Sequence, residues 1–133
     1  MEKTLPAIGF NHYNLRAPRD LLEELRDFYC EVVGLKEGAR PAFRSFGYWL
    51  YASDRDVLHL SEAAPGEIRA THVATTFDHV AFTCADPVAM EETLVERRIE
   101  FGERFIDQTG TKQIFFRDPA GNGVELNFSM PPV

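Results

Sequence analysis

The chain has 133 residues, with 14 lysines and arginines against 21 aspartates and glutamates, and a net charge of −7. Its 44% of hydrophobic and 26% of charged residues are typical of a globular protein, and its length predicts a single domain over residues 1–133. The acidic balance argues against a nucleic acid or an anionic membrane surface as partner, and no apolar run reaches the about 18 residues of a spanning helix. Two cysteines, Cys30 and Cys84, and a start without a signal-peptide pattern predict a reduced, cytoplasmic protein.

The sequence contains an internal repeat. Phe10-Asn11-His12 is similar to Phe77-Asp78-His79, which follows 67 residues later, and Leu58-His59-Leu60 is similar to Val124-Glu125-Leu126, which follows 66 residues later. Self-similarity at a fixed spacing indicates two copies of one structural unit. We place the first copy at about residues 6–64 and the second at about 74–130.

In the first copy, residues 9–16 alternate between apolar and polar types, which predicts a strand. Asp20 is the predicted N-cap of a helix whose apolar residues recur at helical spacing and which ends at Gly34. The rest of the copy predicts three short strands, near residues 36–39, 45–52 and 56–61.

The second copy has the same order of elements. Residues 77–84 predict a strand, and Asp86-Pro87 predicts the N-cap and first turn of a helix that runs through about Arg97. Three strands are predicted near residues 99–107, 113–117 and 123–128, the last two joined by a hairpin connection at 118–123. Each copy is therefore a βαβββ unit, and the predicted fold is α+β.

Strand alternation places four potential metal ligands on the polar faces of these strands. His12, His59, His79 and Glu125 all point away from the apolar residues beside them, at equivalent places in the two copies. If the copies pack around a pseudo-twofold axis, these side chains converge. Three imidazoles and a carboxylate suit one divalent ion such as zinc, nickel, iron(II), manganese or cobalt. The fourth histidine, His72, lies in the joining segment and is predicted to be exposed.

Other residues on or near these faces are candidates for contact with a substrate. Asn14 and Asn127 share the face of the predicted ligands, and Arg16 is suited either to a substrate carboxylate or to a salt bridge at the rim. Tyr48 and Trp49 belong to an aromatic stretch that either lines the site or packs in the core. A small-molecule substrate is the predicted partner.

Four stretches of the chain resemble the vicinal oxygen chelate superfamily, which includes glyoxalase I, fosfomycin- and bleomycin-resistance proteins, methylmalonyl-CoA epimerase and extradiol dioxygenases. They are residues 10–15, 25–35, 77–82 and 116–126. The resemblance implies a homodimer and an eight-stranded, cup-shaped mixed sheet with helices outside. It also implies metal ligands at His12, His79 and Glu125. His59 falls where glyoxalase I carries an additional ligand, often a glutamate, so it is either a fourth ligand or an acid/base.

The resemblance implies three alternative functions. In the first, a glyoxalase-like lyase or isomerase, the metal binds two neighbouring substrate oxygens and stabilises an enediolate while Glu125 or His59 moves the proton. The second is an iron(II) extradiol dioxygenase that needs only His12, His79 and Glu125 as ligands. The third is a drug-binding resistance protein whose acidic charge attracts a cationic drug. Whether the cup forms within one chain or across a dimer stays open.

Overall fold

The computed structural model of the chain describes residues 3 and 5–131. The predicted domain bounds also include residues 1, 2, 4, 132 and 133, which lie outside this part. The α+β fold of two βαβββ units is confirmed by the element order, which is β1 (Tyr13–Ala17), α1 (Arg19–Phe28), a π turn (Tyr29–Val33), β2 (Lys36–Gly38), β3 (Gly47–Ala52), β4 (Arg55–Glu62), β5 (His79–Cys84), α2 (Pro87–Glu96), β6 (Gly102–Ile106), β7 (Thr111–Arg117) and β8 (Gly123–Ser129).

The eight strands are divided equally between two mixed sheets, in the orders β1-β4-β3-β2 and β5-β8-β7-β6. In each sheet the first and last strands of a unit pair in parallel, and the remaining pairs are antiparallel. The intervening helix makes the parallel pair possible, because a parallel connection needs a crossover rather than a tight turn. Neither of the described helices is long and apolar enough to cross a bilayer.

The apolar sides of both units form a single core. Leu22 and Leu25 of α1 are buried together with residues from both sheets. The ring of Phe28 meets that of Phe116 in the second unit edge to face, with centroids 5.8 Å apart. Burial of each such side chain contributes roughly 1.5–3 kcal/mol. The core therefore fixes the two units to each other through the faces that do not carry the predicted ligands.

The two helices begin in different ways. Asp86 is the N-cap of α2, as predicted, and its carboxylate accepts a hydrogen bond of 3.1 Å from the Ala89 N–H. Asp20 is not the N-cap of α1, because the helix already begins at Arg19 and the extended Pro18 precedes it. No side chain caps α1, and the Pro18 carbonyl accepts from the Leu22 N–H at 2.9 Å. Asp20 instead lies in the first turn, where a negative charge is favourable.

The connection between β7 and β8 is the hairpin predicted from its composition, and Asp118 holds it to the first unit. The buried Asp118 carboxylate accepts from the backbone N–H groups of Ala120 and Asn122, both at 2.9 Å, and from the Asn122 side chain at 3.0 Å. Its fourth donor is the hydroxyl of Tyr29, at 2.7 Å, in the π turn that follows α1. One carboxylate thus orders the hairpin and links the two repeats.

Candidate metal centre

His12 and His59 form the first of two ligand pairs, here called the histidine pair. His59 lies in β4, opposite Asn14 of β1 and Trp49 of β3, and His12 lies just before β1. The imidazoles of His12 and His59 stack with centroids 3.6 Å apart and planes 17° apart. Trp49 covers the other face of His59, with centroids 4.0 Å apart. Only the ring edges of His59 are left for chemistry, and 12% of its side chain is exposed.

Hydrogen bonds define which nitrogen of each ring is free. His59 Nε2 lies 2.7 Å from Asp56 Oδ2, and this hydrogen bond lowers the pKa of Asp56. Because the ionised carboxylate only accepts, Nε2 carries the hydrogen and Nδ1 of a neutral His59 ring has the lone pair. His12 Nδ1 lies 2.6 Å from Asn11 Oδ1; because an amide oxygen only accepts, Nδ1 carries the hydrogen and Nε2 is the free nitrogen of a neutral His12 ring.

His79 and Glu125 form the second pair, here called the carboxylate pair. His79 Nε2 and Glu125 Oε1 are 3.0 Å apart, and His79 Nδ1 is 2.8 Å from Asp78 Oδ2. Two adjacent ligand atoms on an octahedral ion, each bonded at about 2.1 Å, are separated by about 3.0 Å. The buried Glu125 accepts at Oε2 from Gln113 Nε2, at 3.1 Å, which leaves Oε1 for a metal. The carboxylate pair therefore fits two neighbouring positions on one divalent cation.

The histidine pair fits such an ion through one ring only while the stack persists. A metal bound by an imidazole lies near the plane of that ring, about 2.1 Å from the nitrogen. Two stacked rings with centroids 3.6 Å apart and planes only 17° apart do not share such a point. The stacked pair thus supplies one ligand, His12 or His59, and supplies both only if one ring leaves the stack.

The two pairs do not meet within one chain. Among residues 3 and 5–131, no group of three or more histidine, cysteine, aspartate or glutamate side chains is arranged to hold a metal. The histidine pair belongs to the sheet of the first unit and the carboxylate pair to that of the second, each on the face opposite the shared core. The predicted convergence is therefore not present among the described residues of a single chain, where the two pairs lie on separate sheets.

Two predicted substrate contacts lie beside the histidine pair. Asn14 is exposed and its Oδ1 accepts from the Ser61 hydroxyl at 2.8 Å. Arg16 is engaged by the Glu67 carboxylate, with Nε to oxygen distances of 2.9 and 3.1 Å. The Arg16 guanidinium thus makes the salt bridge that was one of its two predicted roles.

The remaining predicted contacts divide between the two sides of the sheets. Trp49 lies against His59, whereas Tyr48 points to the other side of β3, where its hydroxyl accepts from Arg26 in α1 at 3.0 Å. Tyr48 is therefore not brought to the candidate centre. Asn127 is on the face of the carboxylate pair and lies opposite Gln113 in the sheet.

Sequence reasoning missed a polar chain next to the carboxylate pair. Gln113 of β7 is buried and bridges Glu125 and Arg104, whose Nε donates to Gln113 Oε1 at 3.0 Å. The available signal was alternation in β7. Ile114 and Phe116 face the core, so Gln113, one residue before Ile114, faces the opposite side of the sheet. His72, as predicted, is exposed.

The fold and the repeated polar faces agree with a sequence comparison. Residues 9–126 match the sequence model of the Glyoxalase/Bleomycin resistance protein/Dioxygenase superfamily. The chain belongs to this superfamily. It includes enzymes as well as non-enzymatic binding proteins. No curated protein matches the chain significantly.

Solved structures share this superfamily fold over nearly the whole chain. The fosfomycin resistance protein FosX from Listeria monocytogenes has a TM-score of 0.67 and 17% identity, covering 93% of this chain and 95% of that chain. TnmS3, an antibiotic binding protein from Streptomyces sp. CB03234, has a TM-score of 0.66 and 20% identity, covering 96% and 100%. Lactoylglutathione lyase from Agrobacterium tumefaciens has a TM-score of 0.64 and 21% identity, covering 93% and 96%. At these identities the similarity shows the fold alone.

Proposed function

We propose that the protein is a divalent-metal-dependent enzyme that binds a small oxygenated metabolite through two neighbouring oxygens and performs glyoxalase-like lyase or isomerase chemistry. The observation that carries this proposal is the 3.0 Å separation of His79 Nε2 and Glu125 Oε1 on a polar sheet face. The ion is zinc, nickel, iron(II), manganese or cobalt, since nitrogen and carboxylate ligands suit all five. A lactoylglutathione lyase has the same fold, so the fold is able to carry chemistry of this class.

We further propose that a second copy of the chain completes the centre. Each copy carries both pairs on faces turned away from its own core, and neither pair alone provides enough ligands. In a twofold homodimer, the histidine pair of one copy meets the carboxylate pair of the other, which generates two equal centres. This arrangement brings His12, His59, His79 and Glu125 to one centre, where the stacked histidine pair supplies one ligand.

The residues of the chain have distinct roles in this centre. A bound divalent ion supplies Lewis-acid stabilisation of negative charge on the substrate oxygens. Gln113 fixes one oxygen of Glu125, and Asp78 fixes the orientation of His79. His59 is the proposed acid/base: Asp56 holds its Nε2, so Nδ1 is the atom that accepts or returns the proton. Trp49 shields that ring from water.

Other side chains are proposed to orient the substrate around these groups. Asn14 and Asn127 present amides on the two ligand-bearing faces, and Trp49 provides an apolar wall. Arg16 contributes only after it exchanges Glu67 for a substrate anion. This competition makes Arg16 a weaker anchor than an arginine without an internal carboxylate partner.

The stack of His12 on His59 favours a second candidate, an iron(II) ring-cleaving dioxygenase. Because one of the two stacked imidazoles cannot bind the ion, the ligand set reduces to two histidines and one carboxylate, the arrangement of non-haem iron(II) oxygenases. His12 is then the ligand with His79 and Glu125, and His59 stays free for proton transfer. The metal identity separates this candidate from the first.

The test is the metal content of untagged protein for the wild type, Glu125→Gln and the control Glu96→Gln. Glu125→Gln keeps the side-chain shape and an oxygen for Gln113 but removes the anionic ligand. Glu96→Gln makes the same chemical change at an exposed position on α2, away from the candidate centre. We expect about one ion per chain in the wild type and control, and loss in Glu125→Gln. Iron directs the assay to catechols and dioxygen, and nickel, zinc or cobalt to methylglyoxal–thiol adducts.

Absence of any ion, with no uptake when these ions are added, would contradict a metal-dependent enzyme. The antibiotic-binding alternative, a role that TnmS3 has on the same fold, would then be tested by ligand screening. Retention of the ion by Glu125→Gln would contradict the assignment of Glu125 as a ligand.

A further inference from the structure

One arginine near the candidate centre has uncommitted hydrogen-bond donors. Four arginines lie on the two ligand-bearing sheet faces, and three of them donate from a terminal nitrogen within the chain: Arg16 to the Ser61 hydroxyl, Arg55 to the Phe10 carbonyl, and Arg117 to the Gly121 carbonyl. Arg104 of β6 donates only through Nε, to Gln113 Oε1. Its terminal nitrogens have no acceptor among the residues that the structure describes, and the side chain is exposed.

A defined hydrogen-bond path joins Arg104 to the carboxylate pair. The guanidinium only donates, so the Gln113 amide must turn its oxygen to Arg104 and its nitrogen to Glu125. The amide orientation is therefore fixed from both sides. Gln113 positions Arg104 Nε and Glu125 Oε2 at the same time, and it is itself 9% exposed.

Phe115 supports the same arrangement from the neighbouring position on β7. Its ring lies edge to face with His79, at a centroid distance of 6.4 Å, and Arg104 Cζ lies 5.8 Å from the centroid of that ring. The strand β6 is two strands away from β8, which corresponds to about 10 Å between backbones. The Arg104 guanidinium thus lies on the same face as the Glu125 carboxylate and is separated from it by the Gln113 amide, through hydrogen bonds of 3.0 and 3.1 Å.

We propose that Arg104 is a specificity-determining residue that binds a carboxylate of the substrate at a distance from its chelating oxygens. With Nε held by Gln113, the two terminal nitrogens present a pair of parallel donors, which matches the two oxygens of a carboxylate. This inference rests on the proposed metal centre, because the distance is counted from oxygens bound there. The substrate class is an oxygen-chelating metabolite with a second, anionic end.

The test compares two chelating probes on the cobalt(II)-loaded protein. The probes are 2-oxoglutarate, which has a distal carboxylate, and 2-oxopentanoate, which has a methyl group in the same place. The change in the visible cobalt absorption gives the Kd of each probe. The variants are Arg104→Gln and the control Arg97→Gln, which removes an exposed arginine paired with Glu31.

We expect the wild type and Arg97→Gln to bind 2-oxoglutarate about tenfold more tightly than 2-oxopentanoate, as is typical of a charge-assisted contact. Arg104→Gln should bind cobalt normally and lose the preference, with an unchanged Kd for 2-oxopentanoate. Normal cobalt binding with no preference in the wild type, or a preference that Arg104→Gln retains, would overturn the inference and leave the metal centre standing. Failure of the wild type to bind cobalt would overturn both.

Discussion

Removal of the Asp118 carboxylate should destabilise the fold strongly, although Asp118 lies outside the candidate centre. Asp118→Ala deprives four donors of their acceptor, and one of them, the Tyr29 hydroxyl, belongs to a fully buried side chain. Ala120 and Asn122 are partly exposed, so water can replace the carboxylate for their three donors at a total cost of about 2 kcal/mol. The buried hydroxyl adds about 1–3 kcal/mol. The expected loss is about 3–5 kcal/mol of unfolding free energy.

Denaturant unfolding measures this loss directly, with thermal unfolding as a second readout. A loss of this size should lower the Tm by roughly 10–20 °C in a domain of this length. The matched control is Asp107→Ala, an exposed aspartate, which should change stability by less than about 0.5 kcal/mol. Tyr29→Phe alone should cost about 2 kcal/mol, and the double variant should cost less than the sum of the two singles. A loss below about 1 kcal/mol for Asp118→Ala, or strict additivity, would refute the reasoning.

Three further predictions concern single groups. The buried Tyr13 hydroxyl lies near the Tyr29 hydroxyl but makes no hydrogen bond of normal geometry in the described part of the chain, so Tyr13→Phe should be neutral or stabilise by up to about 1 kcal/mol in denaturant unfolding. A clear loss would contradict this. Burial raises the pKa of the Cys30 and Cys84 thiols, so a thiol reagent should modify the folded protein more slowly than the denatured chain, and equal rates would contradict it. Hydrogen bonds, the strongest from Arg16, lower the pKa of Glu67 from 4.5 to about 2. The ionised Glu67 therefore stabilises the fold above pH 4.5, and this contribution is lost as the pH falls towards 2. An NMR titration of the Glu67 carboxyl should have its midpoint near 2, and a midpoint near 4.5 would contradict the prediction.

Much of the fold was predictable because the two units share a periodic pattern. Alternation located the strands and their faces, and the side chain of Asp86 begins α2 as expected. The start of α1 was not predictable from capping side chains, because the backbone of Pro18 performs that role and Asp20 is left in the first turn. The register of each sheet was also not predictable, because it depends on how two strands pair and the sequence of one strand does not determine that pairing.

The candidate centre was predictable as a set of residues and not as an arrangement. Repeat equivalence selects His12, His59, His79 and Glu125 as candidate ligands, but their separation into two pairs depends on which faces the shared core covers. The stack of His12 and His59 depends on how the loop before β1 lies over β4. Gln113 was missed for a chemical reason, because an amide is not a typical metal ligand and its contribution is to hold Glu125.

The central claim, a metal centre shared between two copies, is tested most directly by mixing two inactive variants. His12→Ala removes a ligand from the histidine pair and Glu125→Gln one from the carboxylate pair, so homodimers of either variant should bind no metal. After joint unfolding and refolding of equal amounts, half of the dimers contain one of each chain, and one of their two centres has both pairs intact. We predict recovery of about a quarter of the wild-type metal content. No recovery, although mixed dimers form, would contradict a centre built from two chains.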